Sequence, residues 1–67
     1  MLYTHTQDVP ATEWVIVHNL NLYPIVDCYV TDNGVNQKIL PSAITFINLN
    51  TCMVTFTVAT AGHATVV

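Results

Sequence analysis

From Cys52 to Val58 the chain alternates without a slip. Cys52, Val54, Phe56 and Val58 fall on one side, and Met53, Thr55 and Thr57 on the other. A period of two marks a strand with one face turned to a core. Nothing in the remaining sequence offers a competing period. No window holds apolar residues at sustained i, i+3, i+4 and i+7 spacing, and Val, Ile, Thr, Phe, Tyr and Trp outweigh the helix formers throughout. The chain therefore has to fold from strands and turns.

Six further segments read as strands. Residues 2–7 form the first, ended by Asp8-Val9-Pro10. In 14–18, Trp14, Ile16 and His18 share one face and Val15 and Val17 the other. In 25–31, Val26, Cys28 and Val30 lie opposite Asp27 and Tyr29. Asn33-Gly34 then gives a two-residue hairpin turn, because both positions accept φ > 0 at low cost, and 35–40 should return along 25–31 until Pro41 stops it. Residues 44–47 follow, then a turn at 48–50, the 52–58 strand, a break at Ala61-Gly62 and a closing strand at 63–67. Seven segments with turn signals about 8 to 12 residues apart describe an all-β fold. The expectation is a small antiparallel β-sandwich or barrel of six to seven short strands with hairpin connections, one domain over residues 1–67.

Such a fold is hard to stabilise at 67 residues. A chain this short buries only about 60% of the surface its unfolded form exposes, and one core of this size seldom supplies more than about 3 to 5 kcal/mol. Disulfides and metals are poor candidates for support. Cys28 and Cys52 are too few for a disulfide framework and match no metal spacing; inside strand-like runs they read as small buried hydrophobes. What remains is a partner. Hydrophobic residues make up 52% of the chain and charged residues 7%, with Lys38 the sole base, against roughly a quarter charged on an ordinary soluble surface. A homo-oligomer is expected.

Asp8, Glu13, Asp27 and Asp32 against Lys38 give a formal charge of −3. Without a basic patch, nucleic acid and anionic membrane surfaces are not expected as partners. No apolar run approaches the roughly 20 residues of a spanning helix, and MLYTHTQDVP shows neither the basic nor the apolar region of a signal peptide, so synthesis in the cytoplasm is expected. His5, His18 and His63 fall in no metal-binding pattern and read more simply as strand histidines bonded to backbone or exposed at an edge. A Cys-His nucleophile would lack a helix N-terminus for its oxyanion hole, and Asp27 with Asp32 as an acid pair would lack a cleft. No catalytic residue, cofactor or metal is expected.

One polar knot interrupts the apolar runs, His18-Asn19-Leu20-Asn21-Leu22-Tyr23-Pro24. Trp14 and Ile16 bury large area and Leu20 re-enters the core, so the backbone must turn sharply in between. His18 can bond a carbonyl across the corner, Asn19 its own downstream backbone, and Pro24 fixes the exit. Trp14, His18, Asn19, Leu20 and Pro24 thus read as a structural corner, with Asn33 and Gly34 as the hairpin turn. The sharper alternative makes His18, Asn19 and Tyr23 a sugar-binding lip.

The ordered series Trp14, His18-Asn19-Leu20, Pro24, Asn33-Gly34, Leu40-Pro41, Asn48 to Asn50, Val54-x-Phe56 and Gly62 resembles small β-sandwich modules of tailed-bacteriophage virion proteins, found in tail fibre, baseplate, appendage and decoration chains. It covers roughly residues 12–66. Asn21 stands where those modules commonly have Gly, a change the turn tolerates because Asn also adopts left-handed conformations. The resemblance implies a non-enzymatic virion component that assembles with itself, as a trimer on the pattern of fibres, and with other virion proteins. The rival class is a carbohydrate-binding module for a host-surface glycan, stacking sugars on Tyr3, Tyr23, Tyr29 or Trp14. Exposure of Trp14 separates the two.

Overall fold

The computed structural model describes residues 2–67, with Asp32 by its backbone alone. Five antiparallel strands make the fold: β1 (Tyr3–Val17), β2 (Val26–Asp32), β3 (Val35–Ile39), β4 (Ala43–Asn48) and β5 (Thr51–Val66). No helix occurs among the described residues. The all-β class agrees with the sequence, but the count is five and not six or seven, because two pairs of expected strands run on as one. Segments 2–7 and 14–18 fall on β1, and 52–58 and 63–67 on β5, except for the end residues 2, 18 and 67, which lie outside the strands. Hairpins join β2 to β3 and β4 to β5; the other two connections link strands that do not pair.

The reasons for the merging are local. Pro10 does not end β1 because β1 lies at the sheet edge, where the missing N–H need face no partner. Asp8, Val9 and Pro10 sit in a register shift between Gln7↔Gly62 and Ala11↔Thr60. Ala61-Gly62 does not break β5 either. Gly62 is needed within the strand because the Tyr29 backbone passes against it, leaving no space for a Cβ.

β5 is the spine. β1 pairs along one side of it, while the other side is shared, β4 taking Thr51–Thr55 and β2 taking His63–Val66. The middle of the β1–β5 ribbon is where pairing slips, β5 carrying residues 56–59 past the single residue Thr12. Extra residues on one strand increase local twist and bend the ribbon. The sheet thereby divides into one arm holding β1, β5, β2 and β3 and another holding β1, β5 and β4.

A single core cluster draws on both arms: Trp14, Ile16, Cys52, Val54 and Phe56 from the second, Cys28, Ala64 and Val66 from the first. One contiguous core thus serves both arms of the five-stranded antiparallel sheet. Trp14 spans the join at 0% exposure. Its Nε1–H donates to the Thr60 carbonyl at 2.9 Å, its ring lies 4.7 Å from Phe56 at 55°, and its far edge reaches Gly62. Burial of each large side chain contributes about 1.5 to 3 kcal/mol relative to exposure.

Cys28 and Cys52 are both buried free thiols. Burial, with Asp27 and Cys52 adding to it, pushes the Cys28 thiol from 9.0 to about 11; burial raises Cys52 as well. The unfolded thiol ionises first, so the proton held in the folded state contributes stability that is complete below pH 9 and is lost as pH rises through the folded value. Denaturant midpoints of the wild type should fall between about pH 9 and 11, and Cys28→Ala should flatten that fall. An identical slope in the variant would assign the loss to other groups.

The β2–β3 turn shows what local chemistry alone can fix. Asn33 and Gly34 take φ values of 51° and 79°, and Asp32 pairs with Val35. A Cβ on Gly34 would meet nothing within 4 Å, so a substitution there is penalised by backbone conformation and not by collision. Gly34→Val should cost about 1 to 3 kcal/mol and Gly34→Asn much less. Thermal unfolding of the two variants checks this, equal losses being the adverse result.

Candidate functional site

The corner at 18–24 is built by its backbone. Asn19 and Asn21 both adopt φ of 55°, a left-handed conformation that Asn accepts more readily than most residues. Five successive amides then find internal acceptors. The His18 and Asn19 N–H groups donate to the Asn50 carbonyl at 2.9 and 3.2 Å, Leu20 to His18 Nδ1 at 3.1 Å, Asn21 to Asn50 Oδ1 at 2.9 Å and Leu22 to the Leu49 carbonyl at 2.9 Å. Asn50 is itself held by Asn48, whose Oδ1 accepts its N–H at 2.8 Å. The corner is thus strapped to the β4–β5 turn, and its main chain offers no free row of donors to a ligand.

His18 does not play the part expected of it. Instead of donating to a carbonyl, the ring accepts from Leu20 through Nδ1, which places the proton of the neutral ring on Nε2. His18 is 3% exposed and Nε2 has no partner among the described residues. Trp14 is buried in the core, Leu20 is half-buried against that core and Pro24 is buried. His18→Ala should cost about 1 to 3 kcal/mol by stranding the Leu20 N–H. Urea denaturation is the measurement; an unchanged midpoint would show that the bond contributes nothing.

Asn50 escaped sequence reasoning because its partners lie some thirty positions away. Its signal was the Asn48-x-Asn50 spacing, which reads as a turn and not as a brace.

Two outer faces contrast. On the arm with β2, the register lines up Thr6, His63, Tyr29 and Lys38 in one cross-strand row and Thr4, Thr65 and Asp27 in the next. Tyr29 and His63 stack with centroids 5.3 Å apart and planes at 14°. Lys38 Nζ lies 3.1 Å from Asp27 Oδ1, an exposed pair worth little. A shallow hollow of about 480 Å³, lined by Thr4, Thr6, Gln7, Asp8, Thr31, Ala61, Gly62 and His63, opens beside them. As for the acid pair considered above, Asp27 is engaged by Lys38 and the Asp32 side chain lies outside the described residues.

The outer face of the arm with β4 mixes exposed valines with threonines and carries one charge. Glu13 pairs with Thr55 and that with Ala43; Val15, Met53 and Thr45 form the next row; Val17 and Thr51 follow. Val15, Val17 and Ile47 are 57%, 50% and 55% exposed. On the opposite side of β4, where Phe46 pairs with the buried Cys52, Tyr23 rests on Phe46, rings 5.4 Å apart, with Leu22 and Leu49 near by, all exposed. Glu13 is the single charged residue of this arm, since no Asp, Glu, Lys or Arg occurs from Ile39 to Val67.

Of the aromatic platforms a sugar would need, Trp14 is enclosed in the core and Tyr3 is half-buried against it, while Tyr23 and Tyr29 reach the surface. No group of three or more His, Cys, Asp or Glu able to hold a metal ion occurs among the described residues. No protein-family model, no curated protein and no solved structure matches the chain.

Proposed function

We propose that this chain is a non-enzymatic structural component of a tailed-bacteriophage virion, a tail fibre, baseplate or capsid accessory, that assembles with copies of itself and with neighbouring virion proteins. The observation that supports the assembly role is the exposure of Val15, Val17 and Ile47 on the β4 arm, whose one charge is Glu13. A small domain with thin stability gains most from a partner that covers such residues, because binding to the folded state alone stabilises it by mass action. The virion setting rests on the resemblance of the Trp14, His18-Asn19-Leu20, Pro24 series. Quantitative mass spectrometry of purified particles is the test, with the chain expected in fixed ratio to the main structural proteins. Absence from intact particles would end this reading.

The carbohydrate-binding alternative keeps one favourable observation, the Tyr29–His63 stack on a threonine-rich face. It loses Trp14 as a platform. Glycan titration followed through the Tyr29 and His63 resonances separates the readings, since a specific shift there belongs to the alternative alone.

A further inference from the structure

The strand edges of the sheet are unequally defended. A free edge displays unpaired N–H and C=O groups that invite another strand, and proteins guard it with charge, proline or bulges. β3 carries Lys38, paired to Asp27. β1 is interrupted by register shifts around Pro10 and carries Asp8 and Glu13. β4 has no charge and no proline, and its register is regular from Ala43 to Phe46, the one irregularity lying next to the turn into β5. Among the described residues it touches no strand other than β5.

We propose that the outer edge of β4 pairs with β4 of a second copy of this chain, antiparallel about a twofold axis, so that two three-stranded arms join into one continuous sheet. This rests on the reading of the chain as a self-assembling component and names the contact it uses. Three features select a second copy as the occupant. The edge demands an extended backbone and not a side-chain ligand. A strand paired antiparallel with itself presents the same patch on both sides and closes at two. Charge completes the case: Glu13 lies on the far edge strand of the arm and the remaining charged residues belong to the other arm or its border, so two copies at −3 meet without facing carboxylates.

Sedimentation velocity of the full chain over a range of concentrations should show a monomer–dimer equilibrium. Hydrogen exchange should show alternate β4 amides gaining protection as the dimer forms. Thr45→Lys sets like charges near one another across the axis and should weaken the dimer at least about tenfold, with native circular dichroism and tryptophan emission. Thr45→Glu should do the same, and an equimolar mixture of the two variants should restore association. Asn36→Lys on the β3 edge should change nothing. A wild type that stays monomeric, a dimer indifferent to both Thr45 substitutions, or a closed trimer overturns the proposal. Should neither variant fold, the wild-type exchange pattern decides, and protection that misses β4 counts against it. A chain present in particles yet monomeric in solution and unpaired at β4 defeats this contact alone; a β4-paired dimer absent from particles defeats the virion reading alone.

Discussion

Gly62→Ala should leave little folded protein. The added Cβ would overlap the Tyr29 carbonyl oxygen and stand 3.3 Å from the Tyr29 carbonyl carbon and from the Trp14 ring. A flexible side chain could move aside, but a backbone carbonyl held in a ladder cannot, because Tyr29 is paired with His63 on one side and Lys38 on the other. Overpacking of a tight interior usually costs about 1 to 3 kcal/mol and more when backbone must shift. Set against the roughly 3 to 5 kcal/mol that a core of this size supplies, the loss is comparable to the whole. Circular dichroism with urea titration reads it, with Ala61→Gly, one residue away on the same strand, as a control for strand flexibility. A wild-type midpoint for Gly62→Ala would mean that β2 yields freely against β5 at Tyr29.

Gly62 also shows where sequence reading reaches its limit. The alternation of 52–56 and the Asn33-Gly34 turn depend on neighbours in sequence, and both stand where expected; Val58, expected on the core side of the same run, is 70% exposed because pairing with β1 slips across residues 56–59. Pro10 and Ala61-Gly62 read as stops by the same local rules, yet both lie within strands. Whether proline ends a strand depends on whether that strand is an edge, and whether glycine breaks one depends on what passes beside it. Those are facts of tertiary arrangement. His18 behaves likewise: its place at a corner follows from the Trp14-x-Ile16-x-His18 alternation, but its hydrogen-bonding role depends on the left-handed turn at Asn19. The brace from Asn50 joins segments that no periodicity connects. The exposed valines Val15 and Val17 are foreshadowed by the scarcity of charge, while their place on one arm follows only from the bend in β1 and β5.

Trp14→Ala should be as damaging as the glycine change, for the opposite reason. Removing a buried tryptophan costs about 3 to 5 kcal/mol through lost burial and the cavity left behind. Here the cavity opens where the two arms meet, with Phe56 on one side and Gly62 on the other. Trp14→Phe divides that cost. It keeps most of the ring volume but leaves the Thr60 carbonyl without its donor, a loss of about 1 to 3 kcal/mol. Thr60 sits between the two register shifts of β5, so the missing bond should loosen the bend before the arms. Hydrogen exchange should accordingly rise first around 56–61 in Trp14→Phe and everywhere at once in Trp14→Ala. The wild-type tryptophan gives the matching control on function. Enclosed as it is, it should emit in the blue, resist quenching by acrylamide and ignore added glycans; red-shifted emission that sugars quench would place Trp14 at a binding surface and overturn the structural account of the corner.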